Sequence, residues 1–169
     1  DFLSRAADQS GKLAADSEAL ALYEQTLNTY SRSEIAQKDI RRYATLERKM
    51  GEALRRQGKY AQAVEYQLKS LEHLGKQFPS TNAALKVQIL REIVVQIMHR
   101  LFPKRLSTTG GFEPGRPLTA VEEELLVYRE LDWSFFWVNP LSGVLAALRA
   151  LNMSERNGLL EATAVSLAS

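Results

Sequence analysis

Residues 50–71 read MGEALRRQGKYAQAVEYQLKSL, and this stretch decides the fold. Apolar residues recur in it at intervals of three and four positions, which is typical of amphipathic helices. Between the two periodic runs, Gly58 suits the left-handed conformation of a tight turn. Gly51 in the first run and Ala63 in the second allow two antiparallel backbones to approach closely. The stretch therefore predicts a helical hairpin in which any residue larger than glycine at position 51 is costly.

A second copy of this pattern lies upstream. Residues 18–27, EALALYEQTL, repeat the arrangement of residues 62–71, QAVEYQLKSL. The offset between the copies exceeds the period of roughly 34 residues that is usual for helical-hairpin repeats. The helix between them, predicted over 34–57, is therefore expected to be longer than its counterpart in a regular array.

The rest of the chain continues the helical pattern, since its five prolines and nine glycines fall between apolar-periodic stretches. We predict helices over 15–30, 34–57, 61–75, 81–101, 118–137, 141–152 and 158–168. Gly58 and Gly75 are predicted to be left-handed C-caps. The predicted organisation is helical repeats over 1–102, a flexible loop over 103–117, and further helices over 118–169 that continue the same array.

Seven positions fall at the spacing of a tetratricopeptide repeat: Met50, Gly51, Leu54, Gly58, Tyr60, Ala63 and Leu71. The chain resembles that superfamily over residues 45–75 and, less closely, over 15–30. The resemblance implies an all-α fold in which antiparallel helix pairs stack into a right-handed superhelix, an α-solenoid. It also implies a scaffold that binds a protein or a peptide.

Two further segments carry a narrower resemblance. Residues 98–103, MHRLFP, and residues 147–158, ALRALNMSERNG, resemble the helical arrays that follow the AAA-type ATPase module in multidomain class III nucleotide cyclases and related signalling ATPases. The resemblance implies a regulatory parent chain whose other domains are partners of this segment and hold any ATPase or cyclase activity. Because the chain begins at Asp1 and residues 159–168 read as the opening of another helix, we expect a fragment of a longer protein.

The composition of the chain excludes several kinds of functional site. The chain has 169 residues, a formal net charge of +2, no cysteine and only two histidines. Thiolate sites and cysteine nucleophiles are excluded, and two imidazoles are too few for a histidine-rich metal site. No uncharged apolar run reaches the roughly 18 to 20 residues of a membrane-spanning helix. We therefore expect a cytoplasmic protein without cofactor or metal, and with neither nucleic acid nor a membrane as a partner.

The sequence contains no recognisable catalytic motif. There is no HExxH helix and no Ser-His-Asp order, and Gly110-Gly111 lacks the Lys-Ser or Lys-Thr of a phosphate-binding loop. The acidic run 122–124 suits the positive end of a helix dipole, and His99 suits the negative end of another. The sequence predicts a module that is not an enzyme.

A basic face is predicted on the helix over 34–57. Its partner-binding candidates are Arg41, Arg48, Arg55 and Arg56. A groove lined by these side chains would attract an acidic partner. Alternatively, Glu52 pairs with arginines three or four positions away, and the face is an ordinary solvated helix surface.

Residues 131–138, LDWSFFWV, contain both tryptophans of the chain. Trp133 and Trp137 are the other candidate partner-binding residues, because aromatic side chains are favoured as interface anchors. Two alternatives remain open. The segment lines a pocket of a small-molecule or peptide sensor, or it is a helix buried within the stack, which is the more frequent fate of a helix that is apolar nearly all round.

Overall fold

A computed structural model describes residues 17–29, 39–101 and 119–156 of the chain. Every regular element in these ranges is an α-helix, which confirms the predicted all-α class. The helices are α1 (17–29), α2 (Ile40–Arg56), α3 (Tyr60–His73), α4 (Asn82–Leu101), α5 (Ala120–Val138) and α6 (Pro140–Arg156). None of these helices is long and apolar enough to cross a membrane.

The helix boundaries differ from the prediction by more than two residues at two places. Helix α2 begins at Ile40 rather than at 34, because the Asp39 carboxylate caps it by accepting the Arg42 backbone N–H at 3.1 Å. Helix α6 continues to Arg156, beyond the predicted end at 152. The predicted loop over 103–117 and the predicted helix over 158–168 lie outside the described residues.

The chain divides into two compact units, Asp1–Gln77 and Phe78–Ser169. This division falls inside the segment 1–102 that is predicted as one array. It does so because α4 packs against α6 within the second unit. The predicted continuity of the array over the whole chain stays a prediction.

The first unit is built on the hairpin of α2 and α3. Gly58 has a φ of 74°, and its N–H donates to the carbonyl of Arg55 at 2.9 Å, while the Lys59 N–H donates to the carbonyl of Leu54 at 3.0 Å. These two bonds form a Schellman motif, which satisfies the last carbonyls of α2 and reverses the chain. Gly75 ends α3 with the same φ > 0 geometry, so both predicted C-caps are confirmed.

The close approach predicted at position 51 is also confirmed. A Cβ on Gly51 would lie 2.8 Å from Cγ of Gln67 and 3.1 Å from the backbone carbonyl oxygen of Ala63. A buried cluster of Leu27, Met50, Leu54 and Ala63 lies around this contact. Leu27 comes from α1, so the upstream copy of the sequence pattern packs its apolar side on the hairpin.

The second unit is built on the hairpin of α5 and α6, which Asn139 alone connects. Thr119 caps α5 in a capping box with Glu122, and Pro140 occupies the first position of α6, where its missing N–H costs nothing. Gly143 faces the backbone of α5, with the Asp132 carbonyl oxygen 3.5 Å from its Cβ position. Fully buried apolar residues from both helices form the core between them: Val127, Leu131, Leu145 and Ala146.

Candidate protein-binding surface

The predicted basic face of α2 is divided by the fold. Arg48 is buried and lies 3.5 Å from the carboxylate of Glu52, whereas Arg56 is exposed and contacts the same carboxylate at 2.5 Å. Arg41 is exposed and Arg55 is half-buried. The predicted pairing of Glu52 with its neighbouring arginines is therefore confirmed. Of the four candidate arginines, Arg41 and Arg56 are therefore exposed, whereas Arg48 is not.

Buried polar contacts join α2 to α3. The Ser70 hydroxyl donates to the carbonyl oxygen of Ala44 at 2.8 Å, and His73 Nδ1 lies 2.7 Å from Oε2 of Glu47. Burial raises the pKa of Glu47 above its ordinary value of 4.5, and the hydrogen bond with His73 opposes part of this shift. These contacts align the hairpin, with the Glu47 carboxylate buried and the His73 ring 40% exposed. Sequence reasoning missed this pair because its members lie on different helices.

The aromatic segment of α5 has two faces. Leu131, Ser134 and Phe135 are buried, whereas Trp133 and Trp137 are each 59% exposed. The interpretation that the whole segment is buried core is therefore wrong for both tryptophans. The exposed side chains of this segment form what we call the aromatic patch, which consists of Trp133, Phe136, Trp137 and Val138.

The patch is held on a rigid base. Phe136 and Trp137 contact each other edge to face, with ring centroids 5.2 Å apart, and Phe135 on the opposite face contacts Phe78 at 5.2 Å. Helix α6 follows after one residue, and its Leu141 and Val144 side chains are also exposed. The hypothesis of a pocket lined by Trp133 and Trp137 stays a prediction, and both side chains are largely exposed.

A ladder of polar side chains joins α4 to α6. The Asn152 amide donates to Oε2 of Glu92 at 2.7 Å and to the Glu92 carbonyl oxygen at 3.0 Å. Oε2 of Glu155 accepts from Gln96 at 2.9 Å and lies 2.7 Å from Nδ1 of His99. His99 thus contacts a carboxylate on α6, which the sequence did not indicate.

The ladder ends at Arg149. Its guanidinium donates to Gln88 on α4 and to the Tyr128 hydroxyl on α5, and it lies 5.5 Å from the ring centroids of both Phe78 and Tyr128. Burial raises the pKa of Tyr128, and the charge of Arg149 opposes part of that shift. Arg149 therefore connects α4, α5 and α6 within the second unit.

Asp132 provides a test of the packing beneath the patch. Its half-burial raises the pKa of the carboxyl above the ordinary value of 3.8. The folded chain then holds this proton more tightly than the unfolded chain, so stability falls as the pH rises through the interval between the two pKa values. We expect Asp132→Asn to be more stable than the wild type at neutral pH and equally stable below about pH 3. Urea unfolding of the variant and the wild type across this pH range measures the difference in stability. A difference that is the same at every pH would contradict the prediction.

Neither a protein-family model, nor a curated protein, nor a solved structure matches this chain. The resemblance to tetratricopeptide repeats and to the arrays of signalling ATPases therefore stays a prediction from the sequence.

Proposed function

We propose that this chain is a non-catalytic helical scaffold, with tetratricopeptide-like stacking of its helix pairs, that binds a partner protein through the aromatic patch. One observation carries the proposal. Three large aromatic side chains, Trp133, Phe136 and Trp137, are 59–61% exposed on a helix whose other face is buried core. Large apolar side chains that cluster on a solvent-exposed surface indicate an interaction site, whereas isolated exposed apolar side chains are common on any protein.

The geometry of the patch suits an interface anchor. Tryptophan side chains bury a large area and have few rotatable bonds, so they bind at a small cost in conformational entropy. Leu131 and Phe135, two positions before Trp133 and two before Trp137, hold the helix in the core. The patch is therefore presented by a helix that is already ordered before a partner arrives, which reduces the entropy lost on binding.

The proposal extends to the parent chain. The resemblance of residues 98–103 and 147–158 to the arrays of signalling ATPases and nucleotide cyclases supports a regulatory protein in which this module connects other domains. A partner that binds the module would then change the position of those domains, to the extent that it binds one arrangement more tightly than another.

Both tryptophans of the chain lie in the patch, so their emission reports directly on it. We expect the free chain to show solvent-exposed emission that acrylamide quenches, and the bound chain to show blue-shifted, protected emission. Changing both Trp133 and Trp137 to alanine should weaken binding of the partner by about thirtyfold or more, which is the loss expected when two interface anchors are removed. The same change should lower the free energy of unfolding by less than about 1 kcal/mol, because the side chains are exposed.

The matched control is Leu22→Ala, which removes another exposed large apolar side chain from α1. Affinity capture from source cells and mass spectrometry identify the partner, and titration of the purified pair measures its affinity. A partner that binds the alanine double variant as tightly as the control would contradict the proposal. So would emission of the free chain that acrylamide fails to quench.

A further inference from the structure

Helix α4 presents an apolar seam to solvent. Val87, Leu90, Val94, Ile97 and Leu101 lie at alternating intervals of three and four residues, which are the a and d positions of a heptad repeat. Each of the five is between 51% and 68% exposed. We call this row the α4 seam. The a/d spacing predicts a surface that receives knobs from a second helix.

The seam is exposed because α4 faces α6 with its polar side. The ladder of Gln88, Glu92, Gln96 and His99 lies on the opposite side of α4, and Leu85 is the buried apolar residue of the helix. A surface helix ordinarily buries its apolar stripe and exposes its polar one. Here the hydrogen bonds to α6 turn the polar side of α4 inward. The apolar side of the helix therefore faces solvent, where a partner can contact it.

Charge at the edges of the seam indicates what that partner carries. Lys86, Arg91 and Arg100 occupy three of the five flanking e and g positions and are exposed, while the exposed apolar residues Ile93 and Met98 occupy the other two. Within the described residues, no carboxylate pairs with these three cations, and Glu92, the acidic residue of α4, bonds to Asn152. A second copy of α4 would oppose like charges along such an edge, whereas acidic flanking residues would complement it.

We propose that the α4 seam binds an amphipathic α-helix of a partner protein that carries apolar residues at a and d and glutamate or aspartate at e and g. The contact is a two-stranded coiled coil. The proposal deepens the proposed protein-binding function, on which it rests, by adding a second surface and the chemistry of its ligand. The seam contains none of the tryptophan or phenylalanine that is typical of helices lying in a membrane interface, which favours a helix as the occupant.

The test uses the complete 169-residue chain and a labelled synthetic peptide of about three heptads, with isoleucine at a, leucine at d and glutamate at e and g. A second peptide carries lysine in place of each glutamate. Neither peptide pairs readily with itself, because like charges flank its own seam. We expect the glutamate peptide to bind, by fluorescence anisotropy, at least about tenfold more tightly than the lysine peptide.

Two variants separate the apolar and the charged contributions. The double variant Val94→Gln with Ile97→Gln should weaken binding of the glutamate peptide by about tenfold or more, because two aliphatic contacts that the complex buries are lost. Val121→Gln, an exposed valine on α5, is the matched control and should change nothing. Arg91→Glu with Arg100→Glu should reverse the preference, so that the lysine peptide binds more tightly. All of these side chains are exposed, and circular dichroism verifies that the helices are retained.

Several outcomes would overturn the inference. These are equal binding of the two peptides, no binding of either, self-association of the chain that Val94→Gln with Ile97→Gln abolishes, and binding to anionic phospholipid vesicles that the same variant abolishes. The aromatic patch keeps the two proposals distinguishable. If neither peptide binds but a native partner still depends on Trp133 and Trp137, the α4 proposal fails and the proposed function stands.

Discussion

Gly51→Leu is expected to destabilise the first unit by about 3 kcal/mol or more and to lower its unfolding midpoint by more than about 10 °C. The reason is the closeness of α3. A Cβ at this position already lies 2.8 Å from the Gln67 side chain and 3.1 Å from the Ala63 carbonyl oxygen. The Gln67 side chain is fully buried and has little room to move, and a backbone carbonyl in a helix moves only if the two helices separate. Thermal unfolding followed by far-ultraviolet circular dichroism measures the loss.

Lys49→Leu is the matched control, because it places the same side chain two positions earlier on α2, at an exposed site. Its effect should stay within about 0.5 kcal/mol. If Gly51→Leu were as stable as Lys49→Leu, the helices would not approach as closely as described, and the predicted hairpin packing would be wrong.

Leu131→Ala is expected to cost the second unit about 2 to 5 kcal/mol, since it removes a fully buried side chain and leaves a cavity. Trp133→Ala, two residues later, removes a larger side chain that is 59% exposed and should cost less than about 1 kcal/mol. Urea unfolding measures both, and the emission of Trp137 remains in each variant to report on α5. Partner binding should show the opposite order, with Trp133→Ala the more damaging change.

This pair of variants separates a structural role from a binding role on one helix. If Trp133→Ala destabilised the chain as much as Leu131→Ala, the aromatic segment would be core, and the patch would not be a surface. If neither variant changed the unfolding midpoint, the α5–α6 hairpin would not form the core of the second unit.

The local features of the fold follow from the sequence. Gly58 and Gly75 adopt the positive φ that their positions predict, and Gly51 faces α3 as the spacing predicts. Each of these results depends on residues close together along the chain or on one helical hairpin. Helix α2 begins at Ile40 rather than at 34, although the apolar period continues upstream, because Asp39 is a strong N-cap residue.

The candidate surfaces were only partly predictable. Trp133 and Trp137 stand in a segment that is apolar on all sides, so periodicity does not tell which side is buried. The sequence predicts Arg48 to be a surface residue like Arg55 and Arg56, yet Arg48 is buried in the folded chain. The α4 seam contradicts the usual rule altogether, because polar contacts with α6 orient that helix.

The sequence by itself determined that this protein is helical, where its tight turns fall, and which two backbones come closest, since turn geometry and helix periodicity are set by neighbouring residues. Only the tertiary structure decided which face of each helix remains outside. That choice depends on residues far apart in the chain, such as Glu92 with Asn152 and His99 with Glu155. The free energy of those contacts is gained only when the helices meet, and it determines whether an apolar stripe becomes core or a surface for a partner.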